Sequence, residues 1–224
     1  MPAVLVKTAA KHRLFNVRGD WFFMRDFNAE SREAYNQKAD DYDNTADGKF
    51  TRKFKNLLLA VMEVKRDDAV LDVACGNGLF LKRLNEKVPM RGFGIDISER
   101  MVENAIRNCA MMTFHVAGCE KMPAEAGSMD SITVSAAYHH FPDVDAFAKE
   151  AARVLKPQGM IYIAEIYLPF VLRALCNPFL FLTGAGDVKF YSTGEIARTF
   201  NGQGFALVKT VKQGYVQVIQ MQKR

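Results

Sequence analysis

The sequence predicts an α/β chain built on a doubly wound, mostly parallel seven-stranded sheet with an antiparallel C-terminal strand. Three observations predict it. Short apolar runs alternate with amphipathic helical stretches along most of the chain. A glycine-rich turn follows the first of these runs and opens a helix. The last two runs, 205–211 and 215–221, are joined at Gly214 by a link too short for a parallel crossover, so they must lie antiparallel.

The size fits one such domain. The chain has 224 residues, 49% of them hydrophobic and 25% charged, which excludes a wholly disordered protein. Thirty basic against 25 acidic residues leave 30 − 25 = +5, a surplus that permits anionic partners without requiring them. Four cysteines, Cys75, Cys109, Cys119 and Cys176, show neither a CxxC pair nor finger spacing. A reducing compartment, the cytoplasm, is therefore the expected location. The longest apolar region, 161–182, is broken by Glu165, Pro169, Arg173 and Pro178 and makes a poor membrane span. Residues 1–28 form an N-terminal arm. Its first 19 residues carry Lys7, Lys11, Arg13 and Arg18 and no acid, which a transit peptide would share, but they are poor in serine. A flexible tail or a surface-packed arm is the reading preferred here.

The elements follow in order. A helix is expected over 30–38. Phe54, Leu57, Leu58, Val61 and Val64 are spaced i, i+3, i+4, i+7, giving a second helix with one buried face. Ala69–Val73 is a short, uninterrupted apolar strand of the kind buried on both sides. The helix Leu79–Lys87 is closed by Pro89. The run 92–96 is the second strand, and Ser98 caps a helix carrying Met101, Val102, Ala105 and Ile106. Strands follow at Thr113–Val116 and 130–137. A helix over 144–155 ends at Pro157 and Gly159, before a fifth strand at 160–166. A last helix, 193–200, takes Thr193 as its cap. Met111 and Met112 are expected at a core edge.

In an open parallel sheet the ligand site lies at the carboxyl ends of the strands. The loop Asp72-Val73-Ala74-Cys75-Gly76-Asn77-Gly78 sits there. Small residues let the backbone approach a ligand, and the following helix offers free N–H groups to an anionic end. A carboxylate at Asp72 suits an ammonium group and would repel a phosphate. Asp96, 24 positions later, ends the second strand, where a carboxylate can accept two hydrogen bonds from a ribose diol. The ligand so described has an ammonium group at one end and a ribose further along, as S-adenosylmethionine has. The dinucleotide pattern G-x-G-x-x-G fails, because Leu81 stands at its third glycine.

At these residues the sequence resembles the class I S-adenosylmethionine-dependent methyltransferases. The run 70–78 looks like their first motif and 94–98 like their second. Arg153 to Met160 is similar to the turn before their fifth strand, and 137–141 to the end of their fourth. The segment 36–43, with Ala39, Tyr42 and Asp43, is similar to the leader of the subgroup of ubiquinone and menaquinone C-methyltransferases. The likeness runs from about Tyr35 to the chain's end. It implies a Rossmann-like domain over 29–224. In that domain Asp72 would hold the methionine amino group, directly or through water. Ala74, Gly76 and Gly78 would let the loop pass under the methionine part. Asp96 would take the ribose hydroxyls and Ile97 would pack on the adenine, with Cys119 and Glu120 beside its edge. Ser135 would begin the loop lining the transfer pocket, and Tyr42 could close over the cofactor. Two positions depart from the family: Ala74 replaces a usual glycine, and Gly118 stands where many members carry an aspartate, a role left to Glu120 if it is filled at all.

Other candidates are weaker. Cys75 has no base beside it and reads as a small residue wedged in the loop. His139 and His140 fall where a substrate pocket should open; His139 is the candidate for substrate chemistry, against a plain packing role. Basic residues over 49–66 read as a solvated face, although Arg52 could reach a cofactor carboxylate. No histidine–acid spacing marks a metal site, so no metal is expected. The insert 167–192, with Leu168, Phe170, Leu172, Leu175 and Phe179, reads as a lid packed on the domain or as a cap over a hydrophobic acceptor. A helix lying on a membrane is a third option. A small-molecule partner is therefore expected. An RNA methyltransferase and a non-catalytic cofactor-binding protein are the two competing functions; no RNA-binding module or aromatic-basic platform favours the first.

Overall fold

The computed structural model describes residues 12–15, 21–24, 26–183 and 186–224. Most of the expected arm lies outside the described residues. Within it, β1 (His12–Phe15) and β2 (Trp21–Met24) pair antiparallel, His12 opposite Met24 and Phe15 opposite Trp21. Helix α1 (Phe27–Lys38) starts earlier than the sequence implied, because Asp26 accepts the Ala29 amide and caps it. A 3-10 stretch, Ala39–Asn44, leads to α2 (Ala46–Val61), capped by Thr45 and burying Phe54, Leu57 and Leu58 as their spacing required.

The main sheet holds β3 (Ala69–Val73), β4 (Arg91–Asp96), β5 (Thr113–Val116), β6 (Met129–Ser135), β7 (Leu155–Ile166), β8 (Phe205–Gln213) and β9 (Val216–Lys223). Their order is β5-β4-β3-β6-β7-β9-β8, and β9 alone runs against its neighbours. Between the strands lie α3 (Leu79–Lys87), α4 (Glu99–Asn108), α5 (Val144–Val154), α6 (Phe170–Cys176) and α7 (Thr193–Asn201). One core packs β6, β7, α5 and α7 around Phe147, Phe200 and Ile163. The other packs α2, α3 and α4 on the opposite face around Phe54, Phe80 and Leu84. Two-sided burial explains why β3 is apolar at four of five positions and buried at all five. β3 lies between β4 and β6, so the strand order reverses there and the carboxyl ends of β3 and β4 open into a crevice.

Three local expectations need correction, and the insert shows how its apolar side chains are divided. Leu155 belongs to β7, not to the helix, because it pairs with Met129 before a register shift carries the strand through Pro157 and Gly159. Ser192, not Thr193, caps α7, since Ser192 and Glu195 complete a reciprocal capping box. Met112 packs against the α2–α4 core, whereas Met111 at the turn before β5 is 98% exposed. The insert 167–192 folds into α6 and a 3-10 stretch, Asn177–Leu182, yet among its large apolar side chains Leu180 is buried while Phe170, Val171, Leu172, Leu175 and Phe179 stay exposed. Leu180 and the Val188 amide, which donates to the His139 carbonyl at 2.8 Å, fasten the insert to the domain, and the other five side chains face outward. No helix among the described residues is long and apolar enough to cross a membrane.

Candidate active site

A cavity lies over the carboxyl ends of β3, β4 and β6. Its wall includes Tyr42, Ala74, Gly76, Asp96, Ile97, Cys119 and Ser135, seven of the residues singled out in the sequence. Asp72, Gly78, Glu120 and His139 are not in that wall.

The loop after β3 is shaped by backbone conformation. Ala74, Gly76 and Gly78 all take positive φ, at 58°, 55° and 76°. A Cβ on Gly76 would meet only the Met101 sulfur at 4.0 Å, so the absent side chain leaves room for a ligand. Gly78 serves another purpose. A Cβ there would press on Ala105 at 3.0 Å and Phe114 at 3.1 Å, so this glycine lets α3 and α4 approach. Cys75 is buried beneath the loop with its thiol pushed well up by burial, which fits the inert reading.

Asp96 joins the two strand tips. One carboxylate oxygen accepts the Gly76 amide at 2.8 Å and the other the Ser98 amide at 2.9 Å. Burial raises its pKa, and those two hydrogen bonds offset part of the rise. Asp72 lies deeper. It is 2% exposed, accepts the Thr133 hydroxyl at 2.6 Å, and is pushed by burial up to about 7 against that hydrogen bond. A buried carboxyl held this close to neutrality suits a cationic group brought alongside it.

Apart from Tyr42, the remaining wall was not legible in the motifs. Helix α1 and the 3-10 stretch cross the mouth, held by Asn36 to Ser98 and Glu99, by Asn104 to the Ala39 carbonyl, and by Asn77 to Asp43. They add Asn28, Ser31, Tyr35 and Tyr42 to the cavity, and α2 adds Thr51 and Lys55. Lys55, not Arg52, faces the cavity; Arg52 is exposed and donates to the Asp43 carbonyl. The Ser135 hydroxyl is buried in the wall without a hydrogen-bond partner. Glu120 folds back over residue 118, where a Cβ would lie 2.7 Å from its carboxylate, and its other oxygen is buried and unpartnered. The family's usual aspartate would not fit at 118 with Glu120 so placed.

The two histidines part company. In the 3-10 turn Tyr138–His140 successive side chains point about 120° apart. His140 therefore lines the cavity, its Nε2 hydrogen-bonded to the Tyr35 hydroxyl at 3.1 Å, and His139 turns inward to Glu165, 2.9 and 3.0 Å from its two oxygens. Burial alone would lower the pKa of His139, but Glu165 more than offsets it and the value lies above the usual one. Burial and the facing His139 hold His140 down at about 4. Asp187 approaches both rings, so the structure assembles a histidine–acid cluster that spacing could not show, because its acid comes from the insert.

A family model described as a methyltransferase domain matches residues 71–163, the stretch from β3 into β7. That stretch holds the motifs by which the sequence resembles the class I S-adenosylmethionine-dependent methyltransferases, and the match supports that resemblance. Among curated methyltransferases, the ubiquinone/menaquinone biosynthesis C-methyltransferase of Rickettsia felis is 32% identical over 127 residues, covering 52% of this chain and 48% of that protein. That of Wigglesworthia glossinidia brevipalpis is 28% identical over 72% of this chain and 66% of its own. The chain spans between a third and two thirds of the length of the curated relatives it matches. Among solved structures, a putative methyltransferase in complex with the Haloferax volcanii Trm112 methyltransferase activator shares the fold with a TM-score of 0.75 at 20% identity, over 84% of this chain and 96% of that one. The methyltransferase cofactor is S-adenosylmethionine, and the open cradle above Gly76, the orphaned Ser135 hydroxyl, and acidic and basic groups in one apolar wall fit its zwitterionic end and its nucleoside.

Proposed function

We propose that the protein transfers the methyl group of S-adenosylmethionine to a small acceptor with an apolar body. The observation that carries this reading is the cavity bounded by the Asp96 tip and the 74–76 loop on one side and by the Ser135–Phe141 turn on the other. When bound, the cofactor supplies an electrophilic sulfonium methyl carbon. The chain's own residues then bind, orient and exclude water. Asp96 retains lone pairs for two ribose hydroxyls. Asp72 balances the ammonium, directly or through water, and Lys55 answers the carboxylate. Ile97, Met101 and Cys119 offer apolar contact to the base, with Glu120 at its edge. On the acceptor side Ala136, Ala137, Phe141 and Tyr35 present apolar and aromatic surface. Holding donor and acceptor in line could lower the barrier by several kcal/mol, at best about 7–11. Relatives named as ubiquinone/menaquinone C-methyltransferases, and a fold neighbour named geranyl diphosphate C-methyltransferase from Streptomyces coelicolor, support an acceptor of this kind.

Incubation with methyl-labelled cofactor and fractionated cell metabolites tests this. The expected result is label in an apolar small-molecule fraction. Label in RNA, with binding that weakens steeply with salt, would transfer the function to nucleic acid. Cofactor binding with no labelled product in any fraction would leave a non-catalytic binding protein.

A further inference from the structure

We infer that His139, His140 and Asp187 form a binding site for a divalent transition-metal ion of the zinc class, tying the insert 167–192 to the turn at the cavity wall. The three side chains offer one ligand atom each, all within 4.8 Å of one another. His139 Nε2 lies 3.5 Å from Asp187 Oδ1 and His140 Nδ1 lies 3.2 Å from the same oxygen. Charge-assisted hydrogen bonds between such groups close to about 2.7–2.9 Å. Ligands around a tetrahedral ion with bonds of about 2.0–2.1 Å stand about 3.3 Å apart. The two separations from Asp187 match the second figure, not the first, and the two ring nitrogens lie within 4.8 Å of each other.

The surrounding bonds leave the right atoms free. His139 gives Nδ1 to Glu165, the carboxylate–histidine arrangement that fixes a tautomer and turns Nε2 toward a metal. Glu165 is itself completely buried and held by the amides of His139 and Ile166. His140 gives Nε2 to Tyr35, and its Nδ1 is buried with no hydrogen-bond partner. Asp187 is delivered by backbone: Val188 donates to the His139 carbonyl at 2.8 Å, and Gly186 packs so tightly on α1 that a Cβ would lie 2.1 Å from the Ser31 oxygen. Two carboxylates thus face two imidazoles in a buried cluster, and a divalent cation would neutralise the excess negative charge. Three ligands leave a fourth position for water or, because His140 borders the cavity, for an acceptor oxygen.

Zinc titration of the full chain, freed of metal by a chelator, tests the site, with Co2+ as a spectroscopic probe of imidazole ligation. One equivalent of Zn2+ should bind, raise the melting temperature and shift the ring-nitrogen resonances of His139 and His140 alone among the histidines. D187N and H140Q should each weaken binding at least 10-fold, and E165Q by about 10–100-fold through its effect on His139. Circular dichroism of each variant separates lost binding from lost folding. Zinc affinity equal in wild type, D187N and H140Q, or unshifted His139 and His140 resonances, would overturn the inference. S-adenosylhomocysteine titrated into the same samples reports the cofactor reading separately, so either can fail without the other.

Discussion

The Gly76 amide donates to the Asp96 carboxylate at 2.8 Å, so the loop after β3 and the tip of β4 are one unit. Asp96 also receives the Ser98 amide at the start of α4. Asp96→Ala should weaken S-adenosylhomocysteine binding by about 1.5–3 kcal/mol, the worth of hydrogen bonds to a charged group. It should also lower folding stability by about 1–3 kcal/mol, because two amides lose their acceptor. Asp96→Asn keeps an acceptor oxygen and should retain more of both. Calorimetry and denaturant unfolding measure the two effects, and unchanged affinity in the alanine variant would remove Asp96 from the site.

Asp72 predicts a proton count. Its folded pKa, about 7, lies above its unfolded value near 3.8. Its contribution to stability is therefore fully present below about pH 4 and is lost as pH rises through 7. An ammonium group beside it would favour the carboxylate, so cofactor binding at pH 6 should release up to one proton. Titrations in buffers of different ionisation enthalpy read that number. Asp72→Asn should abolish the release and flatten the stability profile between pH 4 and 7; equal proton counts in the two proteins would contradict the assignment.

Gly78→Ala should destabilise the fold by about 1–3 kcal/mol, combining a left-handed backbone with contact against Ala105 and Phe114. Gly127→Ala is the control: its φ is 61° but no atom lies within 4 Å of the added methyl, so the cost should stay near about 1 kcal/mol. Equal melting temperatures for the two variants would show that helix packing at Gly78 is not under constraint.

Lys55→Met should cost about 10-fold or more in affinity for S-adenosylhomocysteine and leave adenosine binding unchanged, since adenosine has no carboxylate for Lys55 to meet. A parallel loss for both ligands would place Lys55 elsewhere in the cavity.

The strand tips could be read from sequence because periodicity and glycine chemistry are local. A continuous apolar run, a turn of small residues and an acid at each tip mark β3, β4 and the loop without any knowledge of the rest. The closing half of the site is not local. Helix α1 buries Ser31 alone among its residues, so no apolar stripe announces that it crosses the cavity. Lys55 and Arg52 sit about 60° apart on one helix, closer than uncertain helix boundaries could resolve. Which histidine meets the cavity depends on a 3-10 turn that periodicity does not mark, and Asp187 reaches the pair only through the tight passage at Gly186.

Titration of the protein with S-adenosylmethionine, S-adenosylhomocysteine and NAD is the most direct measurement. One equivalent of each sulfur ligand should bind and NAD should not, because in the proposed reading the tip of β4 and the buried acid of β3 hold an amino-acid nucleoside. Binding of NAD with no response to either sulfur compound would contradict the account.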